Sequence, residues 1–283
     1  MCTMASRRHA LKAALALGLG SALGQAATAA ETWTVAVVPQ FPATEIHAAW
    51  TPALERLSAQ TGHVFRLVPY ASIPHFEAAF RAGTPDFVFL NPYHMVMARA
   101  AQQYEPLVRD GASPLTGVLV VPADSPARSL QDLRGQRVAF PAPNAFGASL
   151  YLRALLAERG IAIEPAYVRT HSNAYRHVLT GDAAAAGGVR QTLKTEDEAV
   201  QRGLRVIFET PPSAPHPLAA HPRVTAAVQR AVRDALLGWT ARASDAALLA
   251  PIQIAAPVAA DYRRDYAPLE RLRLEKFVVE PKP

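Results

Sequence analysis

The chain has 283 residues, of which 50% are hydrophobic and 18% charged, and its formal net charge at pH 7 is +6. The length and apolar fraction are enough for two modest packed lobes. The basic residues are scattered and are not interleaved with Tyr and Trp, so we expect no nucleic-acid partner and no membrane-surface role.

The N-terminus has the pattern of an export signal. A basic segment at residues 6–12 precedes a short apolar run at 13–24, and small residues follow at 27–30. This order predicts a signal peptide over residues 1–30, cleaved near Ala29 or Ala30, and a periplasmic protein. Arg7 and Arg8 resemble the pair of a twin-arginine signal, and an ordinary secretory signal is the alternative. The apolar run is too short to span a bilayer.

Removal of 30 of the 283 residues would leave 253, with a charge of +3, because three basic residues and no acid depart. The only cysteine, Cys2, departs with them. We therefore expect a mature chain with no disulfide, no thiolate metal site and no cysteine nucleophile. We expect no metal and no cofactor.

Strands and helices alternate along the remaining chain, which is typical of an α/β fold. The predicted strands are residues 33–38, 64–68, 86–90, 115–121, 138–140, 166–170, 183–189 and 204–210. The first helix is predicted to begin at Thr51, with Pro52 in its first turn, and to end at Gly62. Later helices are predicted over 73–82, after Asn91, from about 147 to 159, from Asn173 to Gly181, from 190 towards Gly203, and over 222–239.

Two blocks of alternating strands and helices lie on either side of two strand-like segments, 115–121 and 204–210, where the chain would cross from one block to the other. The simplest arrangement is two lobes joined by two hinge strands. Lobe 1 would comprise residues 31–118 and 207–283, and lobe 2 would be residues 119–206, inserted into it. Ligands of such sheets bind beyond the carboxyl ends of the strands, in the cleft between the lobes. One doubly wound domain is the alternative.

The turn after residues 138–140 is a candidate anion site. The chain passes through Pro-Ala-Pro-Asn and then begins a helix at Gly147 and Ser149. The backbone amides from Phe146 to Ser149 and the positive end of the helix dipole would face a small anion. Asn91-Pro92-Tyr93 repeats this arrangement after strand 86–90, and two facing helix starts would form a cleft.

Four segments together resemble one protein family: TGHVFRLVPYASIPHFEAAFRAG (61–83), PDFVFLNPYHMVMARA (85–100), LRGQRVAFPAPNAFGASL (133–150) and THSNAYRHVLTGDAAAAGGV (170–189). They resemble the phosphate/phosphite/phosphonate-type substrate-binding proteins of ABC transporters, a branch of the type II periplasmic binding proteins. The resemblance extends from Val35 to about Trp239. It implies a monomeric solute-binding protein that passes a small oxyanion to a transporter permease, without catalysis.

The family binds its oxyanion with hydroxyls and helix-start amides between aromatic walls. The matching positions here are Tyr70, Tyr93, the turn from Asn144 to Ser149, and His171. The full set of candidate ligand-binding residues is Gln40, Tyr70, Asn91, Tyr93, Asn144, Ala145, Phe146, Gly147, Ser149, His171, Ser172 and Arg190.

Several candidates have a structural alternative. Packing explains Tyr70 and Tyr93 equally well, helix capping explains Asn144, Ser149 and Ser172, and a solvated helix start explains Arg190. A capping or buried structural role is the alternative for His171.

Two positions depart from the family pattern. Consecutive Ser/Thr residues are usual in the turn, where this chain has Ala145-Phe146-Gly147-Ala148. The acidic position that meets a ligand's ammonium group reads Gly187-Gly188-Val189-Arg190. The loss of hydroxyl donors would weaken the contacts to an oxyanion, and Arg190 would favour an anion without an amine.

Two other functions stay open. A periplasmic sensory subunit that presents its closed form to a histidine kinase would need the same fold. A type II-fold enzyme is the more remote alternative, because no G-x-S-x-G, H-E-x-x-H or G-x-x-x-x-G-K-[ST] motif occurs and the histidine spacings do not suit a metal.

Overall fold

The computed structural model describes residues 31–279, so the predicted signal peptide and Cys2 lie outside the described residues. The strands are β1 (Thr32–Val37), β2 (Val64–Val68), β3 (Phe87–Phe89), β4 (Glu105–Asp110), β5 (Gly117–Pro122), β6 (Arg137–Phe140), β7 (Glu164–Tyr167), β8 (Ala185–Val189), β9 (Leu204–Glu209), β10 (Pro217–Ala220) and β11 (Pro257–Ala259). The α-helices are α1 (Ala43–Thr61), α2 (Ile73–Arg81), α3 (Pro92–Gln102), α4 (Tyr151–Glu158), α5 (His171–Leu179), α6 (Arg190–Thr195), α7 (Glu198–Gly203), α8 (Ala226–Gly238), α9 (Ala243–Ala246) and α10 (Tyr262–Asp265). A π-helical turn (Phe146–Leu150) runs directly into α4, and short 3₁₀ turns cover Leu130–Leu133, Trp239–Ala241, Ala267–Leu272 and Leu274–Phe277.

The strands form two separate sheets, one in each lobe. The first sheet has the order β11-β4-β10-β3-β1-β2 and the second has the order β7-β6-β8-β5-β9. β1 is parallel to β2 and β3, and β6 is parallel to β7 and β8, so the carboxyl ends of these strands share one edge in each sheet. The predicted two-lobed α/β architecture is confirmed.

The buried side chains follow the same division. The first lobe has one large core that includes Trp50, Phe76, Phe89 and Trp239. In the second lobe, separate clusters of buried side chains form around Phe140 and around Tyr175. Burial of these apolar faces is the main driving force for each lobe, since no disulfide joins the described residues.

The C-terminal segment lies across the second lobe. Leu269 and Leu274 pack with Phe146 and Tyr151 in one buried cluster. The guanidinium of Arg153 donates to the carbonyl of Phe277 at 2.9 Å. The last described residues therefore hold the base of the π-helical turn and α4.

The chain crosses between the sheets twice, but not in the predicted hinge strands. Residues 117–122 and 204–209 are β5 and β9, which pair with each other inside the second sheet. The crossings are the segments just outside these strands, where the backbones of Leu115 and Ser213 exchange hydrogen bonds of 2.9 and 3.0 Å. The predicted division into residues 31–118 with 207–283, and 119–206, stays a prediction.

Some helix boundaries differ from the predictions. α1 begins at Ala43, eight residues before Thr51, and contains Pro52. Proline leaves the carbonyl four residues earlier without a donor, and that residue, Ala48, is exposed, so water can satisfy it. The single helix predicted towards Gly203 is two short helices, α6 and α7.

Candidate functional site

A cleft lies between the lobes, at the carboxyl ends of the parallel strands. Its outer cavity has a volume of about 1030 Å³. The first lobe lines it with residues of the segments 37–47 and 67–74, which run from the ends of β1 and β2 into the starts of α1 and α2. The second lobe contributes residues 141–143 after β6, together with Tyr167, Arg169 and Thr170 at the end of β7.

A smaller inner cavity of about 30 Å³ adjoins the outer one. It is lined by Val38, Gln40, Ile73, Asn91, Leu115, Pro141, Ala145, Phe146, Gly147, Ala148, Arg169, His171, Val189 and His216. Gln40, Ile73, Pro141 and Arg169 line both cavities, which places the inner cavity at the base of the cleft. Its volume is of the order of one or two water molecules.

Helix N-termini from both lobes converge on these cavities. The starts of α1, α2 and α3 in the first lobe contribute Ala43, Ile73 and Asn91 to the lining, while the π-helical turn and α5 contribute Phe146 and His171. Each N-terminus carries a partial positive charge and amides without helical acceptors. Among the described residues that line the two cavities there is no Asp or Glu. This cleft therefore favours an anion.

The π-helical turn presents its amides at the inner cavity. Ser149 and Leu150 both donate their amides to the carbonyl of Ala145, at 2.8 and 3.1 Å. The amides of Phe146, Gly147 and Ala148 precede these bonds and remain available to a ligand. A Cβ at Gly147 would lie 2.5 Å from Leu115 Cδ2 and 3.0 Å from Val189 Cγ1, so a larger residue there would require these two side chains to move. The amide of Ser149, predicted to face the anion, is instead used within the turn.

Two histidines at the inner cavity are neutral near pH 7. Burial lowers the pKa of His171 from 6.5 to about 4, and its Nδ1 lies 3.2 Å from the hydroxyl of Thr192. Burial, with the charges of His94 and His171, lowers the pKa of His216 to about 3. The ring of His216 stacks on Phe89 at a centroid distance of 5.5 Å. Neutral imidazoles can each donate one N–H, and a bound anion would raise their pKa.

Arg169 is the main cation of the cleft. It was not among the residues predicted from the sequence. β7 ends at Tyr167 rather than at Thr170, so Arg169 lies in the turn before α5. The amide of Thr170 donates to the carbonyl of Val168 at 3.1 Å, and Arg169 between them has a φ of 78°. A three-residue turn with positive φ at a non-glycine residue is rare and strained. Within residues 31–279 its guanidinium has no carboxylate partner.

Seven of the predicted residues do line the cleft: Gln40, Tyr70, Asn91, Ala145, Phe146, Gly147 and His171. Asn91 is partly committed to capping α3, because its Oδ1 accepts from the amide of His94 at 2.8 Å. Its Nδ2 donates to the carbonyl of Asn144 at 3.3 Å. The Gln40 side chain bonds Gln253 at 3.0 Å, and burial raises the pKa of Tyr70.

Tyr93 and Asn144 line neither cavity. The hydroxyl of Tyr93 donates to Glu275 at 3.1 Å, and its ring stacks on Phe146. Asn144 is buried, donates to Glu77 at 2.9 Å and exchanges two 2.9 Å hydrogen bonds with the backbone of Val279. Both side chains thus turn towards the C-terminal segment, because it supplies the partners that their polar groups need.

The other predicted residues outside the two cavities have protein partners. The fully buried Ser149 hydroxyl accepts from Arg153 Nε at 3.2 Å. Ser172 donates to Glu196 at 2.5 Å, and Arg190 pairs with Glu209. Ser172 and Arg190 thus bond carboxylates rather than capping a helix or remaining solvated, and the N-cap of α5 is Thr170.

The glycine pair that replaces the family's acidic position is explained by packing. A Cβ at Gly188 would lie 2.0 Å from the hydroxyl of Tyr175. Tyr175 is fully buried, and this hydroxyl lies 2.9 Å from that of Thr192. The ring of Tyr175 therefore fills the space beside Gly188, and a side chain there would displace it.

Across the described part of the chain, no group of three His, Cys, Asp or Glu residues could hold a metal ion. In that same part, none of the helices combines the length and the apolar character needed to cross a bilayer.

Comparison with known proteins identifies the family. A family model described as "ABC transporter, phosphonate, periplasmic substrate-binding protein" matches residues 35–266. The phosphate-import protein PhnD of Mycolicibacterium smegmatis is 26% identical over 173 residues, which are 55% of this chain and 54% of that protein. The chain thus matches about half the length of this curated relative.

Two solved structures share the fold. A binding protein component of a Pseudomonas aeruginosa ABC phosphonate transporter gives a TM-score of 0.76 at 17% identity, covering 88% of this chain and 87% of that chain. PhnD1 of Prochlorococcus marinus, in complex with methylphosphonate, gives 0.77 at 15% identity, with 88% and 99% covered. Because the family model covers most of the sequence, the chain belongs to the phosphonate-type periplasmic substrate-binding proteins of ABC transporters.

Proposed function

We propose that this protein binds a phosphorus oxyanion, of the phosphate, phosphite or phosphonate class, and delivers it to the permease of an ABC importer. Proteins of the family are substrate-binding components of transporters rather than enzymes. The observation that carries the choice of an anion is the convergence of five helix N-termini and Arg169 on a cleft whose described lining contains no carboxylate.

The anion would sit where the inner cavity opens into the outer one, at the residues that line both. The amides of Phe146, Gly147 and Ala148 supply fixed donors, and Arg169 supplies a full charge from the rim. His171 and His216 add N–H donors that carry no charge until the anion arrives. The described lining has no carboxylate that could pair with an ammonium group of a ligand, so this arrangement favours a ligand head with negative charge alone.

Export and closure belong to the same proposal. The signal-like residues 1–30 would direct the chain to the periplasm, where it would act as a monomer. The mass of the exported protein tests whether the signal is cleaved near Ala30. The two lobes would close around the anion by a hinge at the crossings near Leu115 and Ser213.

A thermal-shift screen with phosphate, phosphite, methylphosphonate and sulfate tests the function. A ligand at a hundred times its dissociation constant stabilises the folded state by about 2.7 kcal/mol. For a chain of this size that corresponds to a rise in Tm of roughly 5–10 °C. We expect such a rise with at least one phosphorus anion and a smaller rise with sulfate. An unchanged Tm with every phosphorus anion would refute the proposed function.

A further inference from the structure

The outer cavity is much larger than an inorganic oxyanion requires. Its volume is about 1030 Å³, against about 30 Å³ for the inner cavity. Organic ligands of drug size occupy pockets of roughly 300–1,000 Å³. The two spaces therefore differ in the kind of group that they can hold: a compact head at the base and a larger body above it.

Aromatic rings from both lobes line the outer cavity. Phe41 and Tyr70 belong to the first lobe and Tyr167 to the second. Tyr167 keeps 40% of its surface exposed, although large rings are usually buried. Its ring lies 6.4 Å from that of Phe140, and the guanidinium carbon of Arg153 lies 5.9 Å from its centroid. Tyr167 is thus supported by the second lobe while it remains open to a ligand.

Two hydroxyls of the outer cavity are already bonded within the protein. The hydroxyl of Ser72 is bonded to His75 at 2.8 Å, and that of Thr170 accepts from the amide of Asn173 at 3.1 Å. Prolines and aliphatic side chains form most of the remaining lining, for example Pro69 and Ile46. Such a surface gains free energy by burying the apolar area of a ligand.

We infer that the ligand carries a flat aromatic group on its phosphoryl head. The head lies at the mouth of the inner cavity, towards the amides of the π-helical turn and beside Arg169. The ring lies in the outer cavity between Tyr70 and Tyr167. This inference rests on the proposed function, because it needs the anion in the same cleft. An aryl phosphonate and a nucleoside monophosphate share this chemistry.

Titration calorimetry with methylphosphonate, phenylphosphonate and adenosine monophosphate tests the inference. Burial of one phenyl ring predicts that phenylphosphonate binds about ten- to hundredfold more tightly than methylphosphonate. An advantage seen only with adenosine monophosphate would support the inference and identify the ring as a nucleobase. If methylphosphonate binds and neither ring-bearing compound binds better, the inference is overturned while the proposed function stands. If none of the three binds, the inference is overturned, and the thermal-shift screen with phosphate and phosphite decides the proposed function separately.

Two variants of the second lobe locate the ring. Tyr167→Ala should reduce the advantage of the ring-bearing compound about tenfold and leave the affinity for methylphosphonate within twofold. Leu179→Ala is the matched control, because Leu179 is equally exposed, at 41%, and lies outside both cavities. Tyr167→Phe keeps the ring and should keep the advantage. An unchanged advantage in Tyr167→Ala would overturn the placement of the ring between the lobes.

Discussion

Arg169 offers the sharpest test of the proposed site, because its replacement should weaken ligand binding without lowering the stability of the fold. Its φ of 78° lies in a region that glycine adopts without strain, at a cost of about 1–3 kcal/mol for other residues. Arg169→Gly removes that strain but also loosens the unfolded chain, which offsets about 0.5–1 kcal/mol. The variant should therefore be as stable as the parent, or more stable by up to about 2 kcal/mol.

Binding should change in the other direction. A hydrogen bond to a charged group contributes about 1.5–3 kcal/mol, and the exposure of Arg169 favours the lower half of that range. We therefore expect the affinity of Arg169→Gly for methylphosphonate to fall by about ten- to fiftyfold. Titration calorimetry measures the affinity, and urea unfolding measures the stability of the same preparation.

Arg273→Gly is the matched control for Arg169→Gly. Arg273 is also an exposed arginine with positive φ, at 48°, and it lines neither cavity of the cleft. Its replacement makes the same chemical change and should leave the affinity unchanged. Parental affinity in Arg169→Gly would show that the anion does not meet this guanidinium. A loss of affinity accompanied by an equal loss in Arg273→Gly would show a global effect.

Three further predictions concern the charge of the site and the motion of the lobes. Burial lowers the pKa of His171 from 6.5 to about 4, so between these two pH values the unfolded chain binds more protons than the folded one. The free energy of unfolding should therefore fall by about 3 kcal/mol as the pH drops through this range. Urea unfolding at pH 7 and pH 4.5 should show a smaller loss for His171→Asn than for the parent, and equal losses would assign the effect to other groups. Ala145→Asp places a carboxylate at the start of the π-helical turn, where a unit charge about 4 Å away is repelled by about 4 kcal/mol at an effective dielectric near 20. Calorimetry should then show an affinity for methylphosphonate lower by about three orders of magnitude. The Tm should stay near that of the parent, because Asp is a good N-cap. Parental affinity would place the anion elsewhere. Small-angle scattering should show a smaller radius of gyration with saturating methylphosphonate, and an unchanged radius would argue against hinge closure.

The parts of the fold that depend on local pattern were predictable from the sequence. The strand predicted at 64–68 is β2, and the helix predicted at 73–82 is α2 to within one residue. Buried parallel strands give continuous apolar runs, and Ser or Gly residues mark the ends of the helices. The two lobes follow from the same alternation of strands and helices.

Three strands of the first sheet were not predicted, because their sequences lack such a pattern. β4 contains a proline and three charged residues, and β10 is Pro-Leu-Ala-Ala. β10 is nevertheless central, since it pairs with both β3 and β4. Its position follows from long-range pairing, and that pairing brings His216 to the inner cavity. No local signal around His216 indicates this placement.

The candidate site was predictable only where a strand ends in a helix start. Ala145, Phe146 and Gly147 were found in this way, and His171 was found through the family resemblance. Tyr93 and Asn144 satisfy the same local pattern, but Glu275 and Val279 at the far end of the chain bond them. Arg169 was missed because the end of β7 was placed three residues too late.

The placement of charge in this cleft follows from the free-energy cost of a buried charge when no ligand is bound. A full cation buried without a partner costs several kcal/mol, and it would destabilise the free protein. The inner cavity avoids this cost, because helix-start amides and neutral imidazoles line it and neither carries a net charge. The one guanidinium in its lining, that of Arg169, is on an exposed residue, where water solvates it until a ligand arrives.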